Sequence, residues 1–375
     1  MKKKKMTVTI LLISLFGLSG CNESKPTLSP DEKPTKVINQ LTGTVPGYDN
    51  GEWGDYGYHI EMVESSPNAK SVTKITLNND NLVNISDPAH HPSAQTIIYS
   101  EYRKPDQDNI EYDRTSVIWS QVPTKNDRVR VTESTYNNGE AVFNNDGESI
   151  VFTSARSNNN EGIWRIKSNG LGGILKLTEF GSSKSGHPTI GRNDQIAFHA
   201  IDPRYKNSYN NGDNEIRPFI WLMSSDGSIP TQLRYGQYPE FSPDGNTIVF
   251  SRKDVLTGKK QIFTMNTNGG RITQLTYNVD YDIKDPFWHP TGDYIVYASN
   301  EGKTNEMEDD TLSLSESIES DFNIWVMSMD GSQQTQLTTN QSHDDQPVFS
   351  PSGEFIYFRS NRGGFWNIWR FEPIF

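Results

Sequence analysis

Apolar residues in this chain come in short runs closed by turn residues, and the same arrangement returns again and again. The clearest copy is Pro239-Glu-Phe-Ser-Pro-Asp-Gly-Asn-Thr-Ile-Val-Phe250. Pro286-Phe-Trp-His-Pro-Thr-Gly-Asp-Tyr-Ile-Val-Tyr297 and Pro347-Val-Phe-Ser-Pro-Ser-Gly-Glu-Phe-Ile-Tyr-Phe358 repeat it, and looser copies begin at Pro88, Ala141 and Pro188. Within a copy, the Pro-x-aromatic start predicts a short inner strand. Pro243-Asp244-Gly245 then turns the chain, because proline pre-sets φ and glycine accepts the strained turn position. Ile248-Val249-Phe250 is fully apolar, as expected of a strand covered on both faces. A second phrase follows most copies: Ile324-Trp-Val-Met-Ser-Met-Asp-Gly331, then Thr335-Gln-Leu-Thr338. It predicts a third strand, a tight Asp-Gly hairpin and a fourth strand.

A strand-and-turn unit recurring about every fifty residues marks a β-propeller. The expected fold is all-β, with six four-stranded antiparallel blades. One such sheet cannot hide both faces, and radial packing against its neighbours solves that. Trp119, Trp164, Trp221, Trp325 and Trp369 fall at equivalent third-strand positions, with Phe263 at the sixth. A ring that recurs with the fold is expected in the core between blades rather than on a sugar-stacking platform. The last copy stops soon after Phe371, short of a fourth strand, so an N-terminal strand is expected to close the circle and remove the exposed edges. Val72–Leu77 reads as a third strand and Leu82–Ser86 as a fourth. Val37–Thr42 also resembles a fourth strand, so a seventh blade stays open. The expected organisation is a leader over residues 1–20, a tether over 21–36, N-terminal strands packing on or closing the propeller over 37–81, and the propeller over 82–375.

Charge and the first residues add an address. The net charge is −12, which disfavours nucleic acid and anionic lipid headgroups as partners. Lys2–Lys5, the apolar stretch Val8–Phe16 and Leu18-Ser19-Gly20-Cys21 read as a bacterial lipoprotein signal. Cys21 is the chain's one cysteine, which rules out an internal disulfide. Its place makes it the expected lipidation site, and acyl chains there would anchor the chain stably to a membrane. Asn22 suits the outer membrane, facing the periplasm. Residues 23–36 are polar and rich in proline, as a tether would be.

The phrases Phe241-Ser-Pro-Asp-Gly245 and Met327-Ser-Met-Asp-Gly331, followed by Gln336-Leu-Thr338, resemble the WD-like repeats of the TolB propeller family. The likeness covers roughly residues 82–375 and lacks the smaller α/β domain that precedes the propeller in that family. It implies a six-bladed propeller in the cell envelope that binds a protein partner on one end of the ring, without catalysis.

Motifs for chemistry are sparse. There is no Gly-x-Ser-x-Gly elbow, no His-Glu-x-x-His and no phosphate-binding glycine loop. His91 and His289 share one repeat position just before the turn proline, and His343 lies near the start of an inner strand. Asp87, Asp285 and Asp345 lie close to such starts as well. Histidines and carboxylates converging on one channel mouth could hold a divalent metal. Oligogalacturonate lyases, which resemble this arrangement, carry a metal site on a related propeller. The alternative expectation is therefore a metal-dependent enzyme acting on an acidic saccharide, with a glycan as ligand; otherwise no cofactor is expected. Asp280, Asp282 and Asp285 form a further acidic group. The acidic insertion Glu301–Asp321 is expected to be a loop, and a basic partner could contact it.

Overall fold

The structure is a computed structural model. It describes residues 67–80, 82–103, 115–125, 127–157, 160–178, 184–201, 217–302 and 321–374. Cys21, the tether, residues 37–66 and most of the acidic insertion lie outside the described residues, which all belong to the second of two compact units, Met62–Phe375.

The repeat phrases become blades. Strand β1 (Ala69–Lys74) comes first in the chain. Blade 1 is β2 (Val83–His90), β3 (Ile97–Arg103), β4 (Thr115–Gln121) and β5 (Arg128–Arg130). Blade 2 is β6 (Asn138–Phe143), β7 (Ser149–Ser157), β8 (Asn160–Lys167) and β9 (Leu175–Lys176). Blade 3 is β10 (Lys184–Ile190), β11 (Ile196–Ile201), β12 (Phe219–Met223) and β13 (Thr231–Tyr235). Blade 4 is β14 (Gln237–Phe241), β15 (Thr247–Lys253), β16 (Lys260–Asn266) and β17 (Thr273–Gln274). Blade 5 is β18 (Ile283–Trp288), β19 (Tyr294–Ser299), β20 (Asn323–Ser328) and β21 (Thr335–Gln336). Blade 6 is β22 (Asp344–Phe349), β23 (Ile356–Ser360) and β24 (Asn367–Pro373), completed by β1. Six four-stranded antiparallel sheets result, so the described residues form a six-bladed propeller rather than a seven-bladed one.

The core lies in six layers, one between each pair of neighbouring blades. Ile98 and Ile118 of blade 1 pack with Phe143, Ile150 and Phe152 of blade 2. The pattern continues around the ring to Val296 and Ile324 of blade 5 against Phe358 and Trp369 of blade 6. The sixth layer joins Tyr357 and Ile368 of blade 6 to Ile85, Ile97 and Tyr99 of blade 1, closing the circle. The recurrent third-strand aromatics each face an aromatic on the second strand: Tyr99 and Trp119, Phe152 and Trp164, Phe198 and Trp221, Phe250 and Phe263, Tyr297 and Trp325, Phe358 and Trp369. Such cross-strand pairs add to sheet stability beyond the area they bury.

Two turn details explain the phrases. Gly245 has φ 75°, and its N–H donates to the Ser242 carbonyl at 2.8 Å. A side chain there would be strained and would crowd Arg192. In the second phrase the final threonine acts as a clasp. The Oγ1 atoms of Thr132, Thr178, Thr276 and Thr338 accept the N–H of Ile118, Ile163, Ile262 and Ile324 at 2.9–3.0 Å. Thr76 does the same for Ile368 at 2.9 Å.

That last bond corrects one expectation. The segment from Val72 to Leu77 is not a third strand. Ile75 and Thr76 occupy the place that Leu275 and Thr276 hold in blade 4, and β1 runs antiparallel to β24 with Ala69 opposite Pro373 and Lys74 opposite Trp369. Leu82–Ser86 is not a fourth strand either. It leads into the Pro88 copy, and Val83–His90 is the inner strand of blade 1.

Candidate functional site

Every inner strand carries a bulge at the same point. The ladder register shifts between Ser86 and Ala89, Gly139 and Val142, Gly186 and Thr189, Gln237 and Glu240, Lys284 and Phe287, and Asp345 and Val348. The bulged residues are Asp87, Glu140, His187, Tyr238, Asp285 and Gln346, all with φ between 48° and 54°. Non-glycine residues in this left-handed region cost on the order of 1 kcal/mol each. A bulge re-aims its side chain, and here it turns all six toward the axis, where they are half-buried.

These side chains link blade to blade. The Asp87 N–H donates to Gln346 Oε1 at 2.9 Å, and Gln346 Nε2 donates back to Asp87 Oδ1 at 2.8 Å. The Glu140 N–H donates to Asp87 Oδ2 at 3.3 Å. The His187 N–H donates to Glu140 Oε2 at 2.7 Å. The His187 ring then meets the Tyr238 ring edge-on, with centroids 5.0 Å apart. Burial, then the Asp87 charge, pushes the Glu140 carboxyl up to about 8. Burial also lowers His187, and it takes His199 down to about 3, so both imidazoles are neutral donors or acceptors at pH 7.

The residue just before each bulge makes the two halves of the mouth unlike. Those positions are Ser86, Gly139, Gly186, Gln237, Lys284 and Asp345. On the side of blades 5 and 6 the long side chains fill the mouth. Arg359 grips Asp345 with Nε at 2.7 Å and Nη2 at 2.5 Å. Lys284 Nζ lies 3.2 Å from Asp345 and 3.9 Å from Asp285, and His343 Nε2 lies 3.1 Å from Asp345. Burial opposes ionisation of Asp345, yet Arg359 and Lys284 hold its carboxyl well below the usual range. On the side of blades 1 to 3 the two glycines leave a cavity of about 460 Å³, lined by Asp87, Glu140, Glu161, Ser100, Ser185 and His199 among others.

The six residues singled out from sequence therefore fall in different places. Asp87 and Asp285 belong to the bulge ring. Asp345 and His343 sit beside it in the ion cluster. His91 and His289 lie at the other end of their strands, in the turns. His91 Nδ1 accepts the N–H of Ser93 and Ala94 at 3.2 and 3.0 Å, and His289 Nδ1 accepts the Thr291 N–H at 3.2 Å. Their rings pack edge-on against Phe143 and Phe349 of the next blade. Among the described residues, no three His, Cys, Asp or Glu side chains are grouped to hold a metal ion. Asp282, of the second acidic group, accepts the Lys260 N–H at 2.8 Å and pairs with Lys259 at 3.6 Å. Sequence reasoning missed Glu140, Tyr238, Gln346, Lys284 and Arg359. For Glu140, Tyr238 and Gln346 the usable signal was the position preceding each repeat's opening residue.

No family model matches the chain. A stretch of 167 residues is 25% identical to an uncharacterized peptidase, YuxL, of Bacillus subtilis, covering 38% of this chain and 25% of that protein. An uncharacterized protein of Agrobacterium fabrum is 30% identical over 132 residues, 34% of this chain and 37% of the relative. The Tol-Pal system protein TolB of Francisella tularensis is 32% identical over 93 residues, 23% of this chain and 21% of that protein. The chain thus spans well under half the length of the curated relatives it matches. Among solved structures, a putative TolB from Agrobacterium tumefaciens superposes with a TM-score of 0.54 at 17% identity, covering 77% of this chain and 91% of that one.

The chain has the fold of a TolB-like β-propeller. The TolB-like ring shares its fold with enzymes too. An oligogalacturonate lyase from Vibrio parahaemolyticus superposes at a TM-score of 0.53 with 13% identity, over 83% of this chain and 96% of that one.

Proposed function

We propose that this chain is a lipid-anchored propeller of the bacterial cell envelope, held through Cys21 at the periplasmic face of the outer membrane, that binds a protein partner across the channel mouth without catalysis. The observation that carries the reading is the commitment of the mouth's ionisable groups to one another. Asp345 is held by Arg359, Lys284 and His343, and the carboxylates of Asp87 and Glu140 accept neighbouring N–H groups. Groups tied up in this way build a rigid ring more readily than they exchange protons with a substrate. The TolB likeness and the lipobox support the envelope location.

The lyase likeness favours a second reading, a metal-dependent enzyme on an acidic saccharide. The open half of the mouth speaks against it, since the Asp87 and Glu161 carboxylates would repel a polyanion there. Photo-crosslinking in intact cells tests the first reading. A crosslinker at Gln237, at the mouth, is expected to give one discrete protein adduct, and one at Asn246, at the far end of the same blade, none. Equal labelling at both ends, or none at Gln237, would reject a mouth-bound protein. Turnover of oligogalacturonate by the purified chain with manganese would establish the second reading instead.

A further inference from the structure

The cavity between blades 1 and 3 has a composition that the propeller itself does not require. Its floor is made by Gly139 and Gly186, at positions where the other blades carry Ser86, Gln237, Lys284 and Asp345. Neither glycine has a positive φ, so backbone conformation does not demand glycine there. A Cβ on Gly139 would come to 3.5 Å from Ser100 Oγ and 3.6 Å from Asp87 Oδ2, ordinary contact distances. What Gly139 provides is space, whereas a Cβ on Gly186 would come to 2.9 Å from Glu140 Oε2 and 3.0 Å from His199 Nε2, so close packing requires glycine there.

Around that space stand three carboxyl groups, those of Asp87, Glu140 and Glu161, and no lysine or arginine among the described lining residues. Two hydroxyls point to a missing occupant. Ser100 Oγ and Ser185 Oγ line the cavity, belong to residues each 2% exposed, and have no hydrogen-bond partner. Buried hydroxyls are almost always paired. An occupant that donates hydrogen bonds and carries positive charge would satisfy both the hydroxyls and the carboxylates.

We propose that this cavity binds an organic primary ammonium group, seated over Gly139 between Glu140, Asp87 and the hydroxyls of Ser100 and Ser185. An ammonium has three donors and no acceptor, which suits a wall of acceptors. A bare divalent ion suits it less. Both Asp87 oxygens already accept hydrogen bonds, Oδ1 from Gln346 and Oδ2 from Ser86 and the Glu140 N–H. The volume far exceeds that of one ammonium, so the group belongs to a larger molecule. Burial, and after it the Asp87 charge, raises the Glu140 carboxyl to about 8, and a bound cation would favour its charged form. The source of the amine is a lysine side chain of the bound protein, which rests on the reading of the mouth above, or a free small amine.

Calorimetric titration of the full-length acylated protein in detergent tests the site. The probes are Nα-acetyl-lysine methylamide, its norleucine analogue, cadaverine and calcium chloride. The lysine probe is expected to bind and the norleucine analogue to fail. Gly139→Gln, which fills the floor as Gln237 does in blade 4, is expected to weaken the lysine probe by about tenfold or more with an unchanged melting temperature. Ser185→Ala is expected to weaken it as well, so the inference does not depend on one variant folding. Equal binding of the two analogues, full binding by Gly139→Gln, or binding of calcium alone would overturn it. Cadaverine binding without any mouth crosslink would favour the free amine and reject the scaffold reading alone. A protein crosslink at Gln237 that survives Gly139→Gln, with no lysine-probe binding, would reject this inference alone.

Discussion

The Asn367 carboxamide and the backbone of Asn78 exchange two hydrogen bonds across 289 residues of chain. Asn367 Oδ1 accepts the Asn78 N–H at 2.8 Å, and Nδ2 donates to the Asn78 carbonyl at 3.1 Å. The same Oδ1 accepts the Thr76 hydroxyl at 2.9 Å. Asn367 is fully buried, so Asn367→Ala leaves two or three buried polar groups unpaired, at about 1–3 kcal/mol each. The expected loss is about 3 kcal/mol in denaturant unfolding. A midpoint equal to that of the parent would show that this residue does not hold the ring shut.

Trp369 lies in the layer between blades 5 and 6 and is 2% exposed. Trp369→Ala is expected to cost about 3–5 kcal/mol and to lower the melting temperature of the whole ring. Loss confined to local protease nicking at the C-terminal blade, with the main transition unmoved, would contradict cooperative inter-blade packing.

Asp345 balances two cations and a histidine. Asp345→Asn keeps the shape but leaves Arg359 and Lys284 uncompensated, at an expected cost of about 3 kcal/mol. Because the folded carboxyl is held below its ordinary value, its stabilising contribution is present above the unfolded carboxyl's range and fades as pH falls below it. The parent should lose stability on acidification below pH 3.8 more steeply than the variant does. Parallel curves would reject the assignment.

Glu240 and Glu140 act in the opposite sense. Burial raises Glu240 from 4.5 to about 8, and Glu140 reaches about 8 as well. Such carboxyls favour folding below 4.5, and that contribution disappears as pH rises through 8. His90 and His199, both lowered by burial from 6.5 to about 3, cease to matter above 6.5. Between pH 6.5 and 8 the carboxyls therefore dominate. Unfolding free energy is expected to fall there, by up to about 1 kcal/mol per pH unit for each group, and Glu240→Gln should flatten the fall. A flat parent profile would sink this account.

On the proposed lipid-anchored reading, Cys21→Ala is expected to release the chain from the membrane fraction into the soluble periplasmic fraction, because acyl chains on Cys21 would supply the anchor. Fractionation and blotting decide it. A variant that stays with the membrane would overturn the lipobox reading.

The blades were legible because the requirement behind them is simple. Pro-Asp-Gly turns need glycine where φ is positive, and an apolar run such as Ile248–Phe250 needs cover on both faces. The Trp residues marked their strands because each sits opposite an aromatic partner. The bulge ring was harder to read. Its six members share a backbone conformation but no chemistry, ranging from Asp87 to Tyr238. Asp345 lies near an inner-strand start as Asp87 and Asp285 do, yet the residue in their bulge position is Gln346, one residue on. The pairing of Asp345 with Arg359 crosses from β22 to β23 and leaves no local trace. Gly139 and Gly186 carried no visible signal at all, since a site made by leaving side chains out has no motif.

The β1–β24 pairing also sets a timetable. When the ribosome has made Ala69–Lys74, the strand that will cover it lies almost the whole chain away. At about 5–20 residues per second, β1 waits on the order of tens of seconds with its amides unmatched. The propeller cannot close before β24 has been made, so the first and last blades stay apart until every blade between them has been synthesised.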